Sequence, residues 1–574
     1  MQSLIKSSIL PVLVLGASIV SPEFSIAQIP PQINIIARTG TPAPGALPGQ
    51  TFVLFRAPFI NNNGDIAFTA SFNGGSFDNS GIWISRIPEP LSLVVREGMA
   101  ITATTRHSDF YSPVHPMALS HGGHVTYVSN LVGPESRNAG ASVWSTRTGS
   151  REQLGRANQT ALLGGTSFTL NNFVLPLSAP QGYTLYTSNN GNLLVQDAGE
   201  GAPSRRAIAS LTNLTPTMPY VVGIMRLASM NSSGLALVEA RGDTSTVPTF
   251  IPSLIQYNTQ GDPTFIVEGR TDTTLFPGTS VANVLQALIA DDGTIAFTAV
   301  ARGSGPIASW PRSLFYIRNS QRREILAVGA RLPILQTSES VTDWLNLDLS
   351  ADGQLLVRMI ATNSLSGLSR QIVALYRGDG WVQVARQGDP APGISNRFFA
   401  GSFNASMSSN GIVLLRSSMV DDSGTPAGEA TWLNRASRGL SLLLTDRVLI
   451  DVDPGPGQDF RIMQPSWQPA SGTVVIEGSS INTAGVVAAA FTDINNNQFM
   501  VVGRVTPPNL CDSIDFNGNG VFPENQDVID FFSTLAGACP LNQGCDIDFN
   551  NNGVFPEDQD VIDFFQVLAG GSCL

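Results

Sequence analysis

The sequence predicts a mainly β fold, a propeller of eight repeating units with seven as the alternative, followed by a small α-helical module. Three observations carry this. A turn ending in glycine, then an apolar run, recurs at near-equal intervals through the body. No unit of that body holds a helical apolar pattern. Residues 511–574 repeat one acidic loop-and-helix sentence twice.

The turn appears as Asn-Asn-Gly64 before DIAFTA, Gly122-Gly123 before HVTYV, Gln181-Gly182 before YTLYT and Ser-Ser-Gly234 before LALVEA. It returns at Asp-Asp-Gly293, Ala-Asp-Gly353, Ser-Asn-Gly411 and Ala-Ser-Gly472, with steps of 59, 59, 52, 59, 60, 58 and 61 residues. An aromatic-centred strand follows in most units (Trp83 in GIWIS, Trp144 in SVWST, Trp432 in ATWLN). Then comes a strand ending in glycine, clearest at IIARTG40, LVVREG98 and VARQG388. Arg38, Arg96 and Arg386 share its register, and TPAPG and DPAPG follow the first and last copies. Three or four short strands per unit, joined by turns whose glycine accepts positive φ, make small antiparallel sheets. Each such sheet has two apolar faces that only its neighbours can cover, so the sheets pack radially. The strand at Ile35–Arg38 matches the last strand type of a unit. It is expected to complete the final unit beside FMVVGRV (Phe499–Val505) and close the ring.

Composition narrows the function classes. With 42% hydrophobic residues the chain has ample core, and Gly and Pro at 55 and 37 of 574 indicate many turns, not low complexity. Residues 1–27 carry an early Lys6, an apolar run from Ile9 to Val20 and Ser25-Ile26-Ala27, the features of a secretory signal peptide. The expected layout is a propeller over 28–505, a linker over 506–510 and the C-terminal module over 511–574. The expected location is secreted, extracellular or at the cell surface, with the periplasm as alternative. No later stretch is apolar enough for a membrane helix. From Cys511 onward there are 11 acids and no base, so the net charge of −12 belongs almost wholly to the tail. A near-neutral body without a basic patch argues against nucleic acid.

The tail is the specific signal. Asp515, Asn517 and Asn519, and again Asp548, Asn550 and Asn552, place oxygen donors at positions 1, 3 and 5 of a loop. Gly520 and Gly553 permit the sharp turn at position 6, and Val521 and Val554 offer main-chain carbonyls. Asp527 and Asp560 supply closing carboxylates at the start of a helix. Hard oxygen donors without imidazole or free thiol select calcium, giving two Ca2+ sites. Each helix carries an apolar stripe, Val528, Phe531, Phe532 and Leu535 in one and Val561, Phe564, Phe565 and Leu568 in the other, so the copies are expected to pack together. Cys511 with Cys539 and Cys545 with Cys573 read as two disulfides, and pairing between the copies stays open.

Elsewhere chemistry is sparse. The body has no nucleophile elbow, no zinc-protease motif, no phosphate loop and no cysteine after the signal peptide, so no catalytic residue is nominated. All four histidines fall between 107 and 124. His115, His121 and His124 form a candidate transition-metal cluster, with His107 and Asp109 beside them, against a plain loop clustering. Asp292 and Asp352 read as turn residues, and the three tryptophans as core.

The DDGTIAFTA and NNGDIAFTA units resemble TolB-like propeller repeats. The VAREG-type strand with its APG sequel looks like that of secreted planctomycete-type proteins. The Cys-bracketed DFNNNGVFPEDQD form resembles the dockerin module, an EF-hand-like fold. That resemblance implies calcium-dependent folding and attachment to a cohesin-like receptor. Two departures stand out: the loop is one residue longer, and position 5 is Asn in both copies. The expected function is an exported binding or scaffold protein whose propeller, with a polysaccharide or protein ligand, is displayed through this anchor. The alternative is a polysaccharide-active hydrolase or lyase with its site on the propeller axis.

Overall fold

A computed structural model describes residues 33–504 apart from loop segments such as 109–116, 198–204, 211–220, 452–459 and 467–480. Beyond them it describes 514, 516, 524–536, 549 and 558–569. The expected signal peptide and the expected linker lie outside the described residues.

The described strands form eight antiparallel sheets of four or five strands and one two-stranded hairpin, Thr160–Leu163 with Thr166–Thr169. In chain order, seven sheets occupy residues 52–96, 106–156, 174–210, 221–268, 281–327, 339–386 and 398–445. The eighth joins residues 448–504 to the N-terminal strand Ile33–Arg38. Within a sheet, strands lie in chain order, and the described glycine turns each lead into an interior strand of their sheet. The molecule is a β-propeller.

The turns are built alike, and side chains explain their composition. Asn61 Oδ1 accepts the backbone N–H of Asn63 (3.0 Å) and of Asp65 (2.9 Å), and Asn482 does the same for Ala484 (3.0 Å) and Val486 (2.8 Å). A short side-chain oxygen thus closes the turn at i+2 and i+4, while Gly64 (φ 85°) takes the left-handed position that a Cβ would strain. The eighth turn is a correction. Gly472 lies outside the described residues, and the turn equivalent to the others is Asn482–Gly485, leading into the strand Val486–Asp493.

Among the described residues, turns also hold their neighbours. Asn61 Nδ2 donates to Ser120 O (2.9 Å), Asn231 Nδ2 to Ala290 O (3.0 Å), Asp292 N to Ala351 O (3.0 Å) and Ala351 N to Ser409 O (2.7 Å). Asn410 Nδ2 then donates to Thr483 O (2.8 Å), and Asn482 Nδ2 returns to Asn61 O (3.2 Å). The last bond joins the eighth sheet to the first.

Apolar cores follow the same circuit. The eighth and first sheets share one core, in which Ala488, Met500 and Val502 meet Phe52, Phe68 and Trp83. The fifth and sixth share another, of Leu314 and Tyr316 with Val341 and Trp344. The N-terminal strand pairs antiparallel with Gln498–Arg504, from Ile33 opposite Gly503 to Arg38 opposite Phe499, as its sequence register predicts. It forms the outer strand of the eighth sheet.

Trp83 and Trp432 are fully buried, and Trp144 is 6% exposed, so all three are core residues. The APG loops explain their partners: Trp83 Nε1 donates to Pro44 O (3.0 Å) and Trp432 Nε1 to Pro392 O (2.9 Å). Each loop leaves the outer strand of one sheet and caps the aromatic of the next. Gly45 (φ 74°) and Gly393 (φ 79°) sit so close to Leu93 and Leu442 that a Cβ would lie 2.7 and 2.9 Å from their Cβ atoms.

Candidate functional site

In the C-terminal module, α1 (Asn525–Leu535) and α2 (Asp558–Leu568) start two residues before the expected closing carboxylates. Asp527 and Asp560 therefore fall in the first helical turns, and both are fully buried. Asp527 Oδ2 accepts the backbone N–H of Glu524 (3.2 Å). A carboxylate buried at a helix N-terminus is stabilised by the unpaired backbone N–H groups and the helix dipole there. The other expected donors, Asp515, Asn517, Asn519 and Val521 and likewise Asp548, Asn550, Asn552 and Val554, lie outside the described residues. So do Cys511, Cys539, Cys545 and Cys573.

The helices meet through their phenylalanines. Phe531 and Phe564 stack with centroids 4.2 Å apart and planes within 4°, and Phe549 packs edge-on against both. The stripe does not bury whole, however. Phe532 and Phe565 remain 41% and 42% exposed, 5.9 Å apart, with Ile529 and Ile562 beside them at 55% and 51%. Sequence reasoning grouped Phe532 and Phe565 with the core and passed over the two isoleucines. The signal was there: all four positions recur at a spacing of 33 residues.

Two of the four histidines are among the described residues. His115 and His121 lie outside the described residues, and His124 is half-buried at the turn of the second sheet. His107 is buried in that sheet, with Nδ1 2.8 Å from Ser129 Oγ and its ring edge-on to Trp144 at 4.8 Å. Burial, reinforced by the charge of Arg151, lowers its pKa to about 3, so the imidazole is neutral at physiological pH. Among the described residues no three His, Cys, Asp or Glu side chains come together as a metal site. His107 and His124 instead line a cleft of about 790 Å3 between the first and second sheets, with Arg86, Glu89 and Arg151 at its rim.

The first strands of neighbouring sheets approach each other around the ring. Those at Val221–Met230, Val281–Ile289 and Glu339–Leu349 bulge at one register, between Val222 and Ile224, Val281 and Asn283, and Val341 and Asp343, and each bulges again further on, between Leu227 and Ser229, Leu285 and Ala287, and Trp344 and Asn346. Gln286, at φ 49°, uses its bulge to donate Nε2 to Leu345 O of the next sheet (2.9 Å). Asp348 accepts Met407 N from the sheet beyond (2.8 Å), and burial raises its pKa to about 6 despite that bond. Asp292 and Asp352 are turn residues as read: Asp292 Oδ1 accepts Thr294 N (2.8 Å), and Asp352 Oδ2 accepts Gln354 Nε2 (3.0 Å).

Fold and sites together define a β-propeller protein with a small helical module at its C-terminal side. Within that class the chain belongs to a family of unknown function, DUF7453, whose pattern matches residues 27–196 and again 184–506. No curated protein matches it. Similar solved structures include the Dos1 propeller, at 10% identity over 79% of this chain and 94% of that one, with a TM-score of 0.37. An oligogalacturonate lyase in complex with manganese matches at 11% identity over 71% and 94%, with a TM-score of 0.34. The propeller domain of the Trilobed protease from Pyrococcus furiosus matches at 10% over 69% and 98%, with a TM-score of 0.32. No activity or ligand is carried over from likenesses this distant.

Proposed function

We propose that the chain is an exported binding protein: an eight-bladed propeller displayed at the cell surface or in a matrix by a calcium-loaded, dockerin-like module that docks a cohesin-like partner. The observation that carries this is the apolar face of Ile529, Phe532, Ile562 and Phe565, left exposed above a fully stacked aromatic core. A helix pair this small would cover those side chains if its role were only to fold, and exposed apolar residues grouped on one face suit a protein partner. Two acidic loops beside two buried carboxylates supply the calcium dependence, and the module's unbalanced negative charge opposes closure until a cation neutralises it.

The test is made on the full-length chain with its disulfides intact. Calcium should add helical signal and protease resistance to the C-terminal module. The double substitution Asp515→Ala with Asp548→Ala should abolish both while the propeller's β signal stays. Phe532→Ala with Phe565→Ala should leave calcium binding intact and remove capture of a cohesin-type domain. Undiminished calcium binding in the first double variant would place the metal elsewhere, and undiminished capture in the second would place the partner surface elsewhere.

A further inference from the structure

We propose that the cleft between the first and second sheets binds an acidic saccharide, with Arg86 and Arg151 holding its carboxylate groups. This deepens the reading of the propeller as the ligand-bearing part of the chain and rests on it.

The cleft lies at a junction whose loop lacks the APG form. Where the eighth sheet meets the first, and the sixth the seventh, the APG loop fills the wedge: Ala43 and Ala391 enter the shared cores, and the loop carbonyls of Pro44 and Pro392 take the tryptophan N–H. The corresponding segment between the first and second sheets, EGMAITATT, has neither proline nor a Pro-Gly turn. Trp144 accordingly turns its N–H to Ser142 Oγ within its own strand (2.6 Å). Met99 and Ile101 of this segment pack against the core that the two sheets share, and beside them lies the cleft of about 790 Å3, a volume in the range of small-molecule sites.

Its chemistry selects the ligand. Among the residues lining the cleft, Arg86 and Arg151 face a single acid, Glu89, and a guanidinium fork matches a carboxylate bidentately. Arg86 spends one N–H on Gly123 O (2.7 Å) and Arg151 one on the sulfur of Met99, leaving further donors on each guanidinium. Along the rim the hydroxyls of Ser92, Thr146 and Ser150 provide donors and acceptors suited to ring hydroxyls.

The experiment is titration calorimetry of the full-length chain with tetragalacturonate at pH 7 and low salt. Cellotetraose and a short polyglutamate peptide serve as neutral and acidic-peptide controls. Binding should occur with tetragalacturonate alone, weaken as salt is raised, and fall at least tenfold in both Arg151→Gln and Arg86→Gln. Ala100→Trp, at an exposed cleft position, should fill the cleft and remove binding with the charges untouched and the melting temperature unchanged. Absence of binding to tetragalacturonate, equal binding of either control, or indifference to all three substitutions would overturn the proposal. Calcium-dependent helix gain is measured on the same samples. Its persistence when saccharide binding fails would condemn the cleft alone, and its absence would condemn the anchoring reading.

Discussion

At the scale of single residues, the propeller depends on a few positions where a backbone must pass close to a neighbour. Gly45 and Gly393 combine a positive φ with a contact to the Cβ atoms of Leu93 and Leu442, which no rotamer change relieves. Gly45→Ala and Gly393→Ala should each cost about 2–3 kcal/mol, read as a lowered chemical-denaturation midpoint. Gly40, also at positive φ but with open space around it, should cost only the conformational part, about 1–2 kcal/mol. His107 makes a pH prediction. Its pKa is lowered on folding to about 3, whereas the unfolded imidazole takes up its proton near 6.5. The stability it confers is therefore complete above pH 6.5 and is lost as pH falls toward 3. At about 1.4 kcal/mol per pH unit, the wild type should lose about 3 kcal/mol between pH 6.5 and 4.5 from this group. His107→Gln, which keeps a partner for Ser129, should flatten the melting temperature over that interval. An unchanged slope would assign the acid sensitivity to carboxylates.

At the scale of elements, the two C-terminal helices behave as one packing unit. Phe531→Ala removes a ring stacked on Phe564 and flanked by Phe516 and Phe549, and should cost about 3–5 kcal/mol. That is enough to melt so small a module while the propeller's own transition stays in place, a separation that differential scanning calorimetry resolves. Strands and helices were legible in the sequence because their apolar periods, two in the body and 3.6 in the tail, are sustained and repeated. Trp83 and Trp432 were legible as core for the same reason. What periodicity does not carry is a partner across space. Nothing in TPAPG says that its carbonyl will meet an indole 39 residues on. The bulges at Gln286 and Leu345 are likewise invisible, because one extra residue leaves an alternating pattern readable on either side. The cleft at Arg86 and Arg151 escaped notice because it is defined by a loop motif that is missing. The eighth turn was misplaced at Gly472 because the interval there happened to match, whereas the side-chain bridge marking a true turn belongs to Asn482.

At the scale of the whole molecule, ring closure rests on the N-terminal strand. Without Ile33–Arg38, the strand Gln498–Arg504 would present an unpaired edge, Ile35 would leave the core of the seventh and eighth sheets, and Ala37 that of the eighth and first. A chain beginning at Thr41 should therefore show self-association by size exclusion and a lowered melting temperature. A synthetic peptide of residues 31–40 supplied in trans should restore monomers in part. A monomeric truncated chain of unchanged stability would mean that the turn-to-turn bonds alone hold the ring.

The same pairing has a mechanical side. Thr39 and Gln498 are neighbours although 459 residues separate them, and Ile33 lies opposite Gly503, so the chain enters and leaves the ring at one end of one strand pair. Tension applied between the two exits would peel those strands apart one hydrogen bond at a time, the weakest loading geometry a strand pair can have, and not slide them against each other. A tether on the C-terminal side alone transmits its pull through Gln498–Arg504 and past the outer strand, which carries none of it. Held from that side, the ring can swing in flow without its seam being loaded; held from both, it would open like a zip.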